Sequence, residues 1–207
     1  TTDDRVGEAI TPLTNGNYVV QSVFWSANLG AATWADGTKT TSATVSASNS
    51  LVGSSPDDQV GSNVTALANG NYVVTSYGWN SGRGAATWAD GSVGVSGTIS
   101  ATNSLVGSDA SDSVGWTVAL ANGNYVVSSP SWQGSRGAAT WGNGAIGISG
   151  TISPGNSIVG INAGDYVGAV GALTNGNYVV GSSYWGGGIG AASWADGSVG
   201  RTGHIFA

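Results

Sequence analysis

The chain has 207 residues, of which 40% are hydrophobic and only 8% charged; it carries 36 glycines, five Lys and Arg, and a net charge of −6. So few and such scattered cations exclude a nucleic-acid partner, which needs clustered positive charge against phosphates, and argue equally against an anionic membrane surface. The absence of cysteine excludes a disulfide frame and thiolate chemistry.

Methionine is also absent, even at position 1. The chain therefore reads as a processed product or an excised fragment. No apolar run approaches the roughly 18–20 residues of a membrane span, so membrane insertion is not expected. Low charge, no thiols and a Ser/Thr/Gly-rich surface point to an extracellular or cell-surface setting.

Read in chain order, one unit occurs four times. Each copy opens on Asp-x-Val-Gly (Asp4, Asp58, Asp112, Asp165) and continues to N-G-N-Y-V-V, which starts at 15, 69, 122 and 175. A tryptophan follows at 25, 79, 132 and 185, and a second at 34, 88, 141 and 194 within G-A-A-[TS]-W. N-S-[LI]-V-G closes the first three copies at Asn49, Asn103 and Asn156. Both termini fall in the same inter-repeat connection, which fits a closed ring of four units and equally a fragment of a longer array.

Within the second unit the expected strands are Val64 to Leu67, Asn71 to Trp79, Gly84 to Trp88 and Val93 to Ser100, with β-branched and aromatic enrichment and no helical period. Asn69-Gly70 between two apolar runs predicts a two-residue type I′ hairpin, which places Leu67, Tyr72 and Val74 on a common core face. Asp90-Gly91 predicts a second turn. Four short strands per roughly 53-residue unit predict an all-β protein: a four-bladed β-propeller, one domain over 1–207 with repeats near 1–54, 55–108, 109–161 and 162–207.

The pattern V-x-A-L-x-N-G-N-Y-V-V, then Trp, a Gly-rich turn and an Asp-Gly segment, resembles propeller-forming repeats of large secreted bacterial haemagglutinin-like and surface-adhesin proteins. That resemblance covers all four copies. It implies a non-catalytic binding module.

Eight of the nine tryptophans occupy the two repeated positions. Tryptophan offers a flat apolar platform with an N–H at its edge, on which sugar rings stack. Trp25, Trp79, Trp132 and Trp185, each before a variable loop, are the candidate ligand-binding set, joined by Arg83 and Arg136 in that loop. Trp34, Trp88, Trp141 and Trp194 are expected to pack between units. The leading expectation is multivalent carbohydrate recognition, on glycans or cell-surface polymers. The alternative is a structural subunit of an extracellular filament, sheath or surface layer, with self-association. A protein-binding propeller with one asymmetric face, hinted at by Trp116 and the two arginines, is a third reading.

No enzyme, metal or cofactor is expected. Asp4, Asp58, Asp112 and Asp165 read as turn caps, because no loop gathers the six to eight oxygens a Ca²⁺ site needs. His204 is the single histidine, and no carboxylate pair, phosphate loop or zinc spacing accompanies it.

Overall fold

The first repeat shows how these residues become a sheet. In the computed structural model, which describes residues 3–206, β1 (Ala9–Pro12) runs antiparallel to β2 (Tyr18–Ser22), β2 to β3 (Ala31–Ala35), and β3 pairs over two residues with β4 (Leu51–Val52). The second repeat repeats this with β5 (Asn63–Ala66), β6 (Tyr72–Ser76), β7 (Ala85–Ala89), then β8 (Gly97–Thr98) and β9 (Leu105–Val106). The third has β10 (Trp116–Ala119), β11 (Tyr125–Ser129), β12 (Ala138–Gly142), β13 (Gly150–Thr151) and β14 (Ile158–Val159). The fourth has β15 (Ala169–Ala172), β16 (Tyr178–Ser182), β17 (Ala191–Ala195) and β18 (Gly203–His204).

The fourth strand of each sheet differs from the expected Val93–Ser100 segment. Only Gly97–Thr98 is extended there, and it lies parallel to β4 of the preceding repeat. The antiparallel partner of β7 is instead β9, from the N-S-L-V-G segment. Leu105 and Val106 are buried, so this segment belongs to the core and not to a connection. β13 on β9 and β18 on β14 repeat the crossing.

The hairpin turn also differs, with a consequence for the whole stack. Leu67 N–H donates to Asn71 O (2.8 Å) and Gly70 N–H to Leu67 O (3.2 Å), which makes a three-residue loop. Only the glycine has positive φ: +89° at Gly16, +91° at Gly70, +86° at Gly123 and +85° at Gly176. This is a type I turn closed by a glycine bulge, not type I′. The extra residue pairs Ala66, not Leu67, with Tyr72. In a strand of period two, a shift of one residue moves a side chain to the other face. Leu67 and Val73 therefore face the next repeat, while Tyr72 and Val74 face the previous one.

Both faces of an internal sheet are thus buried, and three equivalent clusters join the repeats. Leu13, Val19, Ala32 and Leu51 meet Val64, Tyr72, Val74 and Trp79. Leu67, Val73, Ala86 and Leu105 meet Tyr125, Val127 and Trp132. Leu120, Val126, Ala139 and Ile158 meet Tyr178 and Val180. Burial pushes the Tyr72 and Tyr125 phenols well above their ordinary range.

The four sheets hold three to five strands each, and none closes into a barrel. The expected ring is not closed: among the described residues no strand pairing or hydrogen bond links the first repeat to the fourth. Ile10 is 61% exposed where its counterpart Val64 is 7%, and Trp194 is 55% exposed at the other end. The repeats form an open stack, in which each covers only its neighbours.

Two predictions test this architecture. Asn69 donates to Gly144 O at 2.7 Å, whereas Asn175 makes no inter-repeat bond among the described residues. Asn69→Ala should cost about 1–2 kcal/mol in urea denaturation, clearly more than Asn175→Ala. Between second and third strands the chain turns left-handed, at Ala27 (φ 59°, ψ 46°) in the first repeat and Gly187 at the same place in the fourth. A non-glycine residue there costs about 1–2 kcal/mol, which exceeds glycine's entropic penalty. Ala27→Gly should raise the thermal midpoint; an unchanged or lower one would show that the turn stores no strain.

Candidate functional site

The candidate tryptophans stand just after the second strand, where the left-handed turn begins. Trp79 and Trp132 are buried, at 8% and 2% exposure, inside the clusters that join successive repeats. Trp25 and Trp185 are half-buried. The indole N–H groups of Trp79, Trp132 and Trp185 are buried and make no hydrogen bond among the described residues. At Trp79 and Trp132 the ring fills the space between neighbouring sheets.

The turn itself is held by the first landmark of the repeat. The Asp58 carboxylate accepts from Ser54 N–H (2.8 Å) and Ser55 N–H (2.9 Å) with one oxygen, and from Asn80 N–H (2.9 Å) with the other. Asp112 does the same for Ser108, Asp109 and Gln133, and Asp165 for Ile161, Asn162 and Gly186. Ser26 N–H donates to Asp4 at 3.0 Å. These carboxylates, buried at Asp58, Asp112 and Asp165 and half-buried at Asp4, cap backbone N–H groups.

Arg83 and Arg136 follow the turn, Arg83 half-buried and Arg136 exposed. Their shared contribution is the main chain: Val114 N–H donates to Arg83 O (3.0 Å) and Val167 N–H to Arg136 O (3.1 Å), as Val60 N–H does to Leu29 O (3.1 Å). The side chain at this position is therefore free to vary. Among the described residues no ring contact joins the Arg83 or Arg136 guanidinium to a tryptophan.

The second tryptophan set lies nearer the surface. Trp34, Trp88 and Trp141 are half-buried, and each donates its indole N–H across a junction, to Gly91 O (2.9 Å), Gly144 O (3.0 Å) and Gly197 O (2.9 Å). Gly94 lies against the Trp34 ring, where a Cβ would come within 2.5 Å of Trp34 Cβ. Beside Trp34 runs a shallow groove lined by Asn49, Val93, Val95 and Ser96. An equivalent groove beside Trp88 is lined by Asn103, Ile146, Ile148 and Ser149. Val93 and Ile146 stand 71% and 77% exposed at its rim. The Trp34, Trp88 and Trp141 rings pack between repeats, as expected for this set, while the strand-end rings Trp79 and Trp132 are the more deeply buried. The second glycine of the D-G-S-V-G segment lets the backbone of the next repeat lie directly against the ring of the second set.

Asn49 and Asn103 are occupied by their own turns: Asn103 accepts from Ser100 N–H at 2.9 Å and donates to Thr98 O at 2.9 Å. Asp90 and Asp196, in the turn before the groove, are held below the usual carboxylate range by Ser92 and Ser198, whose hydroxyl and backbone N–H both donate to them. In the third repeat Asn143 accepts the same backbone bond, from Ala145 N–H at 2.8 Å. His204 is exposed on β18. Among the described residues no three His, Cys, Asp or Glu converge as metal ligands, and no helix is long and apolar enough to cross a membrane.

The family described as "Repeat of unknown function (DUF5650)" matches the chain four times, over residues 12–62, 66–116, 119–169 and 172–207. A comparison with curated proteins finds no match.

The burial pattern gives a direct test. Trp132→Ala should lower stability by about 3–5 kcal/mol, because it empties a junction. Trp194→Ala, at an uncovered position, should cost less than about 1 kcal/mol in the same denaturation experiment.

Proposed function

We propose that this chain, which belongs to that family of tandem repeats, is a non-catalytic structural scaffold: a rigid run of repeats in a secreted or cell-surface bacterial protein of the adhesin kind. One observation carries the reading. The residues that recur in every copy, namely the two Asn of N-G-N, the Tyr and Val of the central strand, both Trp and the capping Asp, are engaged in building each repeat and in joining it to the next. In this reading the repeats are propeller-type blades laid on one another in an open stack. Cysteine-free, weakly charged composition supports a location outside the cell, and the resemblance to haemagglutinin-like repeats supports the adhesin context.

Carbohydrate binding is the second reading, favoured by the groove that recurs beside Trp34 and Trp88. Repeated weak sites on one body would act through avidity. A glycan array on the intact chain separates the two. The scaffold reading expects a blank array at concentrations where avidity would register. A saturable glycan signal, abolished in Val93→Lys/Ile146→Lys with the circular dichroism spectrum unchanged, would overturn it in favour of the groove.

A further inference from the structure

One of the three internal junctions is built differently from the other two. Between the second and third repeats the Thr75 hydroxyl donates to Gly115 O (2.5 Å), and between the third and fourth the Ser128 hydroxyl donates to Gly168 O (2.5 Å). Each bond is buried and closes one sheet against the first strand of the next repeat. The first repeat carries Gln21 at this position. Gln21 is 7% exposed, and its amide donates back to Thr11 Oγ1 (3.0 Å) within its own repeat, with no bond to the second repeat among the described residues. The second repeat also holds one residue more here. Ser62 stands between Gly61 and β5, whereas β10 and β15 begin directly after Gly115 and Gly168.

A hollow of about 340 Å³ lies where that bond is replaced. Its walls belong to two repeats that face each other inside the stack: Glu8, Gln21 and Phe24 on one side, Gln59, Ser62 and Tyr77 on the other. The Gln21 carboxamide oxygen, the Gln59 carboxamide and the Tyr77 hydroxyl make no hydrogen bond among the described residues, while the Ser62 hydroxyl donates to Gln59 O at 2.6 Å. Glu8 is the one charged residue in the lining, and the Arg5 guanidinium, 4.8 Å from the centre of the Phe24 ring, brings the opposite charge. The next junction carries Gly78, Ser113 and Pro130 in the places of Phe24, Gln59 and Tyr77, so this combination of rings and amides belongs to the first junction.

We propose that this hollow binds one small neutral sugar ring. Its volume stands at the lower end of the roughly 300–1,000 Å³ of ligand pockets, which suits a single ring. Carboxamide and phenol groups both donate and accept hydrogen bonds, which matches hydroxyls that do the same. The Phe24 and Tyr77 rings supply apolar faces against which sugar C–H groups pack. Glu8 and Arg5 balance in charge, so neither a cation nor an anion is favoured over a neutral ligand. Gln21 is already held by Thr11, so ordering it on binding costs little. The inference goes beyond the scaffold reading and does not rest on it. A lone site for so small a ligand binds in the millimolar range and has no avidity, so a glycan array stays blank with or without it.

Saturation-transfer NMR of the intact chain with the methyl α- and β-glycosides of glucose, galactose and mannose tests this. At least one glycoside should receive saturation and titrate to a plateau. Gln21→Thr, which installs the hydroxyl of the other junctions, and Tyr77→Ala should each weaken that binding by about tenfold or more, with the circular dichroism spectrum unchanged. Val93→Lys/Ile146→Lys, which alters the tryptophan groove, should leave it intact. No transfer to any of the glycosides at about 50 mM, well above the affinity expected of so small a ligand, would overturn the proposal. So would transfer that survives both hollow variants, or transfer lost only in the groove variant, which would assign the sugar to the groove. Binding of N-acetyl-arginine amide in place of the glycosides, weakened by added salt, would overturn it in favour of a cation site.

Discussion

Each junction in this protein converges on one peptide carbonyl. Gly91 O, Gly144 O and Gly197 O each accept two asparagine side-chain N–H groups and one indole N–H from the preceding repeat, all at 2.7–3.0 Å. A carbonyl has two lone pairs, so three donors share them, and the oxygen is surrounded on its open side. The second asparagine also accepts the N–H of its own repeat's glycine, as Asn71 does from Gly91 at 3.0 Å. The N-G-N triplet thereby ties a hairpin to its own sheet and to the next one. Its recurrence follows from this geometry: each copy needs both amides to keep the carbonyl of the next repeat in place.

Around that point the apolar faces are set by strand period and turn length together. The glycine-bulge loop puts Leu67 and Val73 on one face and Tyr72 and Val74 on the other. A sheet buried on both faces has no solvent side, which accounts for a central strand without polar alternation. Some of the polar residues that such a sheet buries are paired across it, as Thr87 is with Ser104 at 2.7 Å, whereas the buried Ser76 and Ser129 hydroxyls have no hydrogen-bond partner among the described residues.

The left-handed turn after the central strand is unfavourable locally and is held by tertiary contacts. Asn80 and Ser81 both have positive φ. The Asp58 carboxylate, 1% exposed, fixes Asn80 from one side, and the backbone of the next repeat binds from the other: Ser113 N–H donates to Gly82 O at 2.9 Å and Val114 N–H to Arg83 O at 3.0 Å. These contacts use main chain at every position, so side chains there are free to differ between copies. Variation among Leu29, Arg83, Arg136 and Ile189 is what such a turn permits, whether or not a ligand visits it.

The repeat, its period, the all-β class and the Asp-Gly turns were legible in the sequence, because each depends on local residue chemistry that tolerates few substitutes. The capping role of the Asp-x-Val-Gly carboxylates was legible for the same reason. Three features were decided only by tertiary structure. The hairpin register turned on one extra loop residue, and Asn-Gly is compatible with either loop. The fourth strand comes from N-S-L-V-G and pairs with a strand of the following repeat, a long-range parallel contact that no local pattern encodes. The relative burial of the two tryptophans was the third: Trp79 and Trp132 are buried, whereas Trp34, Trp88 and Trp141 are half-buried at the junctions. A strand-end ring is buried when the adjacent sheet lies over it, and the glycine backbone of the next repeat lies directly against the mid-strand ring. Sequence spacing placed both rings in every repeat; the packing of one sheet on the next decided which of them meets solvent.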